Sequence, residues 1–143
     1  MGKILIILAL LLPATSYGLT DKQVVALTLL GEARGEGTTG IYAVANVITN
    51  RAHERHLTPR KICLQKLQFS FWNDPRTPAE LNRLLRGKQG TYALRLASAV
   101  VSGRKLKDIT GGANHYHAVS IDPPWRIESC ATVTIKRHRF YRI

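Results

Sequence analysis

Three glycines within seven residues, Gly31, Gly35 and Gly37, cut short a strong helical pattern and decide where the first helix ends. Upstream, Thr20-Asp21-Lys22-Gln23 has the form of a capping box, and Val24, Leu27 and Leu30 follow at helical spacing. A glycine inside a helix costs about 1 kcal/mol relative to alanine, so the helix that meets Gly31 cannot run far past Gly35 and Gly37. Thr38 or Thr39 is placed to cap a second helix, whose Ile41, Val44, Ala45, Val47 and Ile48 form an apolar stripe. A third begins at Thr77-Pro78-Ala79-Glu80, with Thr at the N-cap, Pro at N1 and Glu at N3. A fourth runs from about Thr91 to Ser102 and stops at Gly103. Past Asp108 the pattern changes. Gly111-Gly112 and Pro123-Pro124 break the chain, Thr132-Val133-Thr134-Ile135 alternates as a strand, and Phe140-Tyr141 is placed to pair back onto it. No repeat or low-complexity linker divides residues 19–143. The expected fold is one α+β domain, mostly helical, with a small C-terminal β-hairpin or sheet.

Residues 1–18 read as an export signal. Lys3 is a short basic start, Ile4 to Leu12 is unbroken apolar sequence, and Pro13 precedes a small-residue exit at Ser16 and Gly18. The mature chain is expected to begin at Leu19. The apolar run falls short of the roughly 20 residues that span a bilayer, which leaves a retained anchor as the alternative. Export places Cys63 and Cys130 in an oxidising compartment, where one disulfide is expected, worth on the order of 4 kcal/mol. Two buried thiols are the other reading. Neither cysteine sits in a CxxC, so redox and zinc-ribbon roles are not expected.

Charge narrows the partners. Lys+Arg number 21 against 9 Asp+Glu, a formal net charge of +12. Such a surface is drawn to polyanions, and the export signal argues for an anionic cell-wall polymer over nucleic acid. No stable membrane partner is expected, and the chain is read as a monomer.

With nine carboxylates, each candidate acid can be weighed by name. Glu32 and Glu36 stand among the glycines at the end of the first helix. Glu32 comes just after Leu29 and Leu30, with only Gly31 between, so it is expected to be the better buried and to act as a general acid. Glu36 is expected to stay ionised, pairing with Arg34 or capping a turn. Asp74, Asp108 and Asp122 have turn-type neighbours and read as turn caps. Gln68-Phe69-Ser70-Phe71-Trp72 reads as an extended stretch with Gln68, Ser70 and Trp72 on one face, suited to N-acetyl groups and sugar rings, while the two Phe residues suit a core. His115-Tyr116-His117 invites a metal reading, but no acidic third ligand is adjacent, so no metal and no cofactor is expected. Asn114, Tyr116 and His117 are instead read as lining a substrate cleft or orienting the Glu. Trp125 is a rigid platform or a core plug. His53-Glu54-Arg55-His56 is one residue short of HExxH and reads as the solvated end of the second helix.

Gly31-Glu32-Ala33-Arg34-Gly35-Glu36 resembles the hallmark motif of the SleB/CwlJ-type cell wall hydrolases. The likeness continues through Ala43-Val44-Ala45-Asn46-Val47-Ile48-Thr49-Asn50-Arg51, Gln68-Phe69-Ser70-Phe71-Trp72, Gly111-Gly112-Ala113-Asn114-His115-Tyr116-His117, Pro124-Trp125 and His138-Arg139-Phe140-Tyr141-Arg142. These segments span almost all of residues 19–143 in order. The resemblance implies a lysozyme-like fold and cleavage of the glycan strand of peptidoglycan. It further implies lytic transglycosylation with one essential Glu, a role that maps best onto Glu32 and secondarily onto Glu36. Two other classes remain at this point: an exported zinc amidase or peptidase built on the His residues, and a non-enzymatic cationic wall binder.

Overall fold

The computed structural model describes residues 17–66 and 68–143. The expected export segment therefore lies outside the described residues, apart from Tyr17 and Gly18. Among the described residues five α-helices come first: α1 (Asp21–Ala33), α2 (Gly37–Arg55), α3 (Pro59–Leu64), α4 (Pro78–Arg86) and α5 (Gly90–Val101). Strands β1 (His115–Ala118), β2 (Ala131–Ile135) and β3 (His138–Tyr141) then form an antiparallel sheet in the order β1-β3-β2. This is the mostly helical α+β fold with a small C-terminal sheet that the sequence pattern predicts.

Helix α1 is the centre of the bundle. Its residues from Val24 to Leu30 are all buried, because α2, α3, α4 and α5 each pack against it. A helix covered on every side has to be apolar on every side, which is why Asp, Lys and Glu are confined to its ends. Its capping box forms as expected: Thr20 Oγ1 accepts from the Gln23 N–H at 3.2 Å and Gln23 Oε1 from the Thr20 N–H at 2.9 Å. Thr77 and Glu80 repeat the device at α4, with Pro78 in the first turn.

The break between α1 and α2 is tighter than expected. A single 3-10 turn, Arg34–Glu36, joins them, and α2 starts at Gly37, ahead of Thr38 and Thr39. Gly37 has φ +68°, a conformation open mainly to glycine. Gly31 serves a different end, since a Cβ there would lie 2.3 Å from the Phe71 ring. Helix α3 escaped the sequence reading although Thr58 caps it and Pro59 opens it. Strand β1 escaped because four residues carry too little alternation to read.

The sheet has two distinct faces. Register places Tyr116 opposite Phe140 and Ala118 opposite His138, on the side where Phe140 packs with Ala43 and Val47 of α2. His115, His117, Arg139 and Tyr141 alternate onto the other side. Every residue of β1 is thereby committed to one side or the other.

The expected disulfide is not formed: Cys63 and Cys130 are both unpaired. Cys63 is fully buried in the helical core, on α3, whereas Cys130 closes the 3-10 segment that leads into β2. The two belong to different packing layers, and bridging requires Cα atoms within about 7 Å. Burial pushes the Cys63 thiol up to about 12. Thiol titration of the folded protein is therefore expected to modify Cys130 and spare Cys63, with the second sulfhydryl appearing only on unfolding. A single disulfide and no reactive thiol after denaturation would contradict this.

Candidate active site

Glu32 sits in the last turn of α1, half-buried, where three distant segments meet. Its Oε1 accepts from the Phe71 N–H at 3.4 Å and faces Ser70 Oγ at 3.5 Å; its Oε2 accepts from the Tyr116 hydroxyl at 3.1 Å. Ser70 and Phe71 arrive on the 3-10 turn Ser70–Trp72, which docks against α1 because Gly31 leaves room for the Phe71 ring. Tyr116 arrives on β1. The carboxylate is thus held from two sides by elements 38 and 84 residues away in sequence.

Tyr116 is itself held. Its ring packs against His138 at 5.0 Å and Phe140 at 5.6 Å, both on β3. Burial and the adjacent Glu32 carboxylate push its hydroxyl well above the usual tyrosine range, so it remains a proton-bearing donor at any working pH. Burial holds the His138 imidazole below its ordinary value, with Arg137 and His117 adding to that against Glu36 and Glu32, so it is neutral at pH 7. Behind them, Arg51 of α2 is 5% exposed. Its Nε donates to the Asn114 carbonyl at 2.6 Å and its guanidinium lies 5.2 Å from the Phe69 ring centre. Burial lowers the Arg51 pKa, and its Nη1 has no hydrogen-bond partner among the described residues.

Glu36 departs most from expectation. At 8% exposure it is buried deeper than half-buried Glu32, and its partner is Arg137, not Arg34. Oε2 accepts from the Arg137 N–H and Oε1 from its Nε, both at 2.9 Å. Burial raises the Glu36 pKa, but the Arg137 backbone bond, its guanidinium and His138 outweigh that and hold it below the ordinary value. Glu36 therefore clamps the β2–β3 turn onto the α1–α2 corner as a carboxylate. Nothing near Glu36 in sequence signals a partner 101 residues away.

The remaining expected site residues separate. Ser70 and Tyr116 join Glu32, but the Gln68–Trp72 segment turns instead of extending. Gln68 faces Arg55 at the end of α2, at 3.4 Å. Trp72 Nε1 donates to Thr28 inside the helical layer at 2.8 Å, so its polar atom is used internally. Phe69 and Phe71 are core residues, as their composition suggests. Asn114 is buried and fully engaged: Nδ2 donates to Glu54 and to the Ile143 carbonyl, while Oδ1 accepts from the Ile143 N–H. It joins the end of α2 to Ile143. His117 lies on the outer face of the sheet, stacked on Tyr141, with Nε2 2.8 Å from that hydroxyl. Trp125 covers the same face, 5.7 Å from His117 and 5.6 Å from Tyr141. The alternation along β1 separates this pair from Glu32, which Tyr116 faces from the other side. His53, Glu54, Arg55 and His56 form an exposed helix end. Among the described residues no cluster of three His, Cys, Asp or Glu could hold a metal ion.

A cationic α+β domain built around one centrally held carboxylate is the architecture in hand. The chain belongs to the Cell Wall Hydrolase family, whose sequence profile matches residues 35–141. This bears out the SleB/CwlJ-type resemblance and makes cell-wall peptidoglycan the substrate. The matched segment takes in Glu36, Ser70, Tyr116 and His138 and begins three residues past Glu32, whose role rests on its surroundings. No curated protein and no solved structure matches the chain. No described helix is long and apolar enough to cross a membrane.

Proposed function

We propose that this chain cleaves the glycan strand of peptidoglycan as a lytic transglycosylase, with Glu32 as its one acid and base. The observation that carries this reading is the state of the other eight carboxylates. Glu36 is clamped by Arg137. Asp108 is tied to Thr110 and Asn50, which hold it below its ordinary pKa against the effect of burial. Asp21, Asp122 and Glu128 pair with Arg60, Arg126 and Arg139. Glu80 caps α4 and Glu54 accepts from Asn114. Asp74 is exposed in the turn at Pro75. A glycosidase that uses water needs a second carboxylate roughly 5–9.5 Å from the first. A transglycosylase does not.

In this mechanism Glu32 gives its proton to the glycosidic oxygen as the bond to the muramic anomeric carbon breaks. The muramic C6 hydroxyl attacks that carbon, and the Glu32 carboxylate takes the hydroxyl proton. The acid is restored and a 1,6-anhydro sugar leaves. Tyr116 fixes one oxygen of Glu32 throughout, and Ser70 and the Phe71 N–H steady the other. The wall substrate sets the place of action outside the cytoplasm.

Digestion of purified peptidoglycan followed by mass spectrometry of the muropeptides tests the reading. Each new glycan end is expected to weigh one water less than a reducing end. Reducing ends would make the enzyme a hydrolase; peptides released from the lactyl group with chelator sensitivity would make it an amidase. Binding with no new ends would leave a wall-binding protein.

A further inference from the structure

A second feature lies on the other flank of α1. Two residues of α-helix turn through about 200°, so Leu30 projects opposite to Glu32, and Arg34 opens the 3-10 turn just past the helix end. There a cavity of about 470 Å³ opens between α1, the end of α4 and the loop Gly87–Gln89. Leu30 and Leu84 form its floor; Arg34, Arg83 and Lys88 stand exposed around it. None of these three cations takes part in an ion pair among the described residues, whereas Arg60, Arg126, Arg137 and Arg139 all do. The loop is sharply shaped, since a Cβ on Gly90 would lie 1.9 Å from the Leu85 carbonyl oxygen. Gln89, which also lines the cavity, is the N-cap of α5 and makes no side-chain cap bond, so the positive end of that helix adds to the cationic rim.

We infer that this cavity binds the carboxylate-bearing peptide stem that peptidoglycan carries on its muramic lactyl group. The inference rests on the glycan-cleavage reading, which brings that stem to the protein attached to the substrate. The chemistry matches: short apolar side chains such as alanine suit the Leu30–Leu84 floor, and free carboxylates suit the three unpaired cations. Reach also matches. A helix with its side chains is about 10–12 Å across, and a stem of three to five residues extends up to about 10–18 Å. Gly35 lines the cavity at the end of α1, and the Arg137 guanidinium donates to its carbonyl at 3.3 Å on the side toward the sheet. A glycan seated at Glu32 can therefore lay its stem over the helix end into the cavity.

The test uses the full chain and the double variant Arg83→Gln/Lys88→Gln, both positions being exposed and neither bonded to Glu32. Cleavage is compared on intact peptidoglycan and on glycan strands stripped of peptide by an amidase. The variant is expected to lose about tenfold in kcat/KM on the peptide-bearing strands and under twofold on the stripped ones. Free stem tripeptide, titrated by NMR, is expected to shift cavity signals in the wild type, weakly in the variant, and less at high salt. Equal loss on both substrates, or no titration in the wild type, overturns the inference. Tripeptide binding without glycan cleavage on either substrate would sink the glycan-cleavage reading and leave the cavity assignment standing.

Discussion

Glu32→Gln is expected to lower the rate of peptidoglycan cleavage at least about 10²-fold, the usual contribution of general acid–base catalysis. Glutamine keeps the shape, and its single oxygen accepts from the Phe71 N–H while its amide nitrogen faces the Tyr116 hydroxyl, which can turn to accept from it; it carries no proton that can be given and retaken. The loss should fall on kcat with KM little changed, because binding along the glycan strand does not depend on that proton. Stability should hardly move, since Glu32 forms no ion pair among the described residues and its two longer hydrogen bonds are 3.4 and 3.5 Å. Tyr116→Phe supplies an internal control. It removes the 3.1 Å bond to Oε2 and leaves the carboxyl in place, so it should cost less than Glu32→Gln. Activity of Glu32→Gln equal to wild type would end the mechanism. A dead Glu36→Gln beside an active Glu32→Gln would keep the family and move the acid.

The two halves of this site were unequally legible in the sequence. Helix caps, glycine stops and the apolar run through Leu30 act over a few residues, so four of the five described α-helices, the position of Glu32 and the C-terminal hairpin could be read directly, while the short α3 went unread despite its Thr58 cap. What escaped depends on contacts between distant segments. Glu32 looked the better buried acid because it follows two leucines, yet the clamp from Arg137 is what buries Glu36. The Gln68–Trp72 alternation looked extended, but docking of Phe71 over Gly31 winds it into a 3-10 turn. His117 was grouped with Tyr116 by adjacency, and the two-residue period of β1 sends it to the opposite face, where Trp125 packs on it. Arg51 and His138 lay in plain view within the family segments; burial alone distinguishes them, and burial is a property of the fold.

Glu36→Gln should be the more damaging of the two Glu variants to the fold and the less damaging to the chemistry. Charge-assisted hydrogen bonds to a buried carboxylate contribute about 1.5–3 kcal/mol. Arg137 is 71% exposed, and water screens its side of the pair, so the lower end of that range applies. Loss of about 2 kcal/mol should lower Tm by roughly 5–10 °C in a domain of this size. Activity at a temperature where the variant is folded should fall less than tenfold, because the β2–β3 turn would shift while Glu32 keeps its own partners. The pH dependence identifies the cause. The native Glu36 pKa lies below its ordinary 4.5, so its stabilisation is complete above that value and disappears as pH falls through the depressed native pKa. Wild type and Glu36→Gln should therefore differ most in Tm near neutral pH and converge as the solution is acidified below about 4.5. A Tm gap that stayed constant down to strongly acidic pH would mean that the ionised Glu36–Arg137 clamp is not what holds the sheet to the helices.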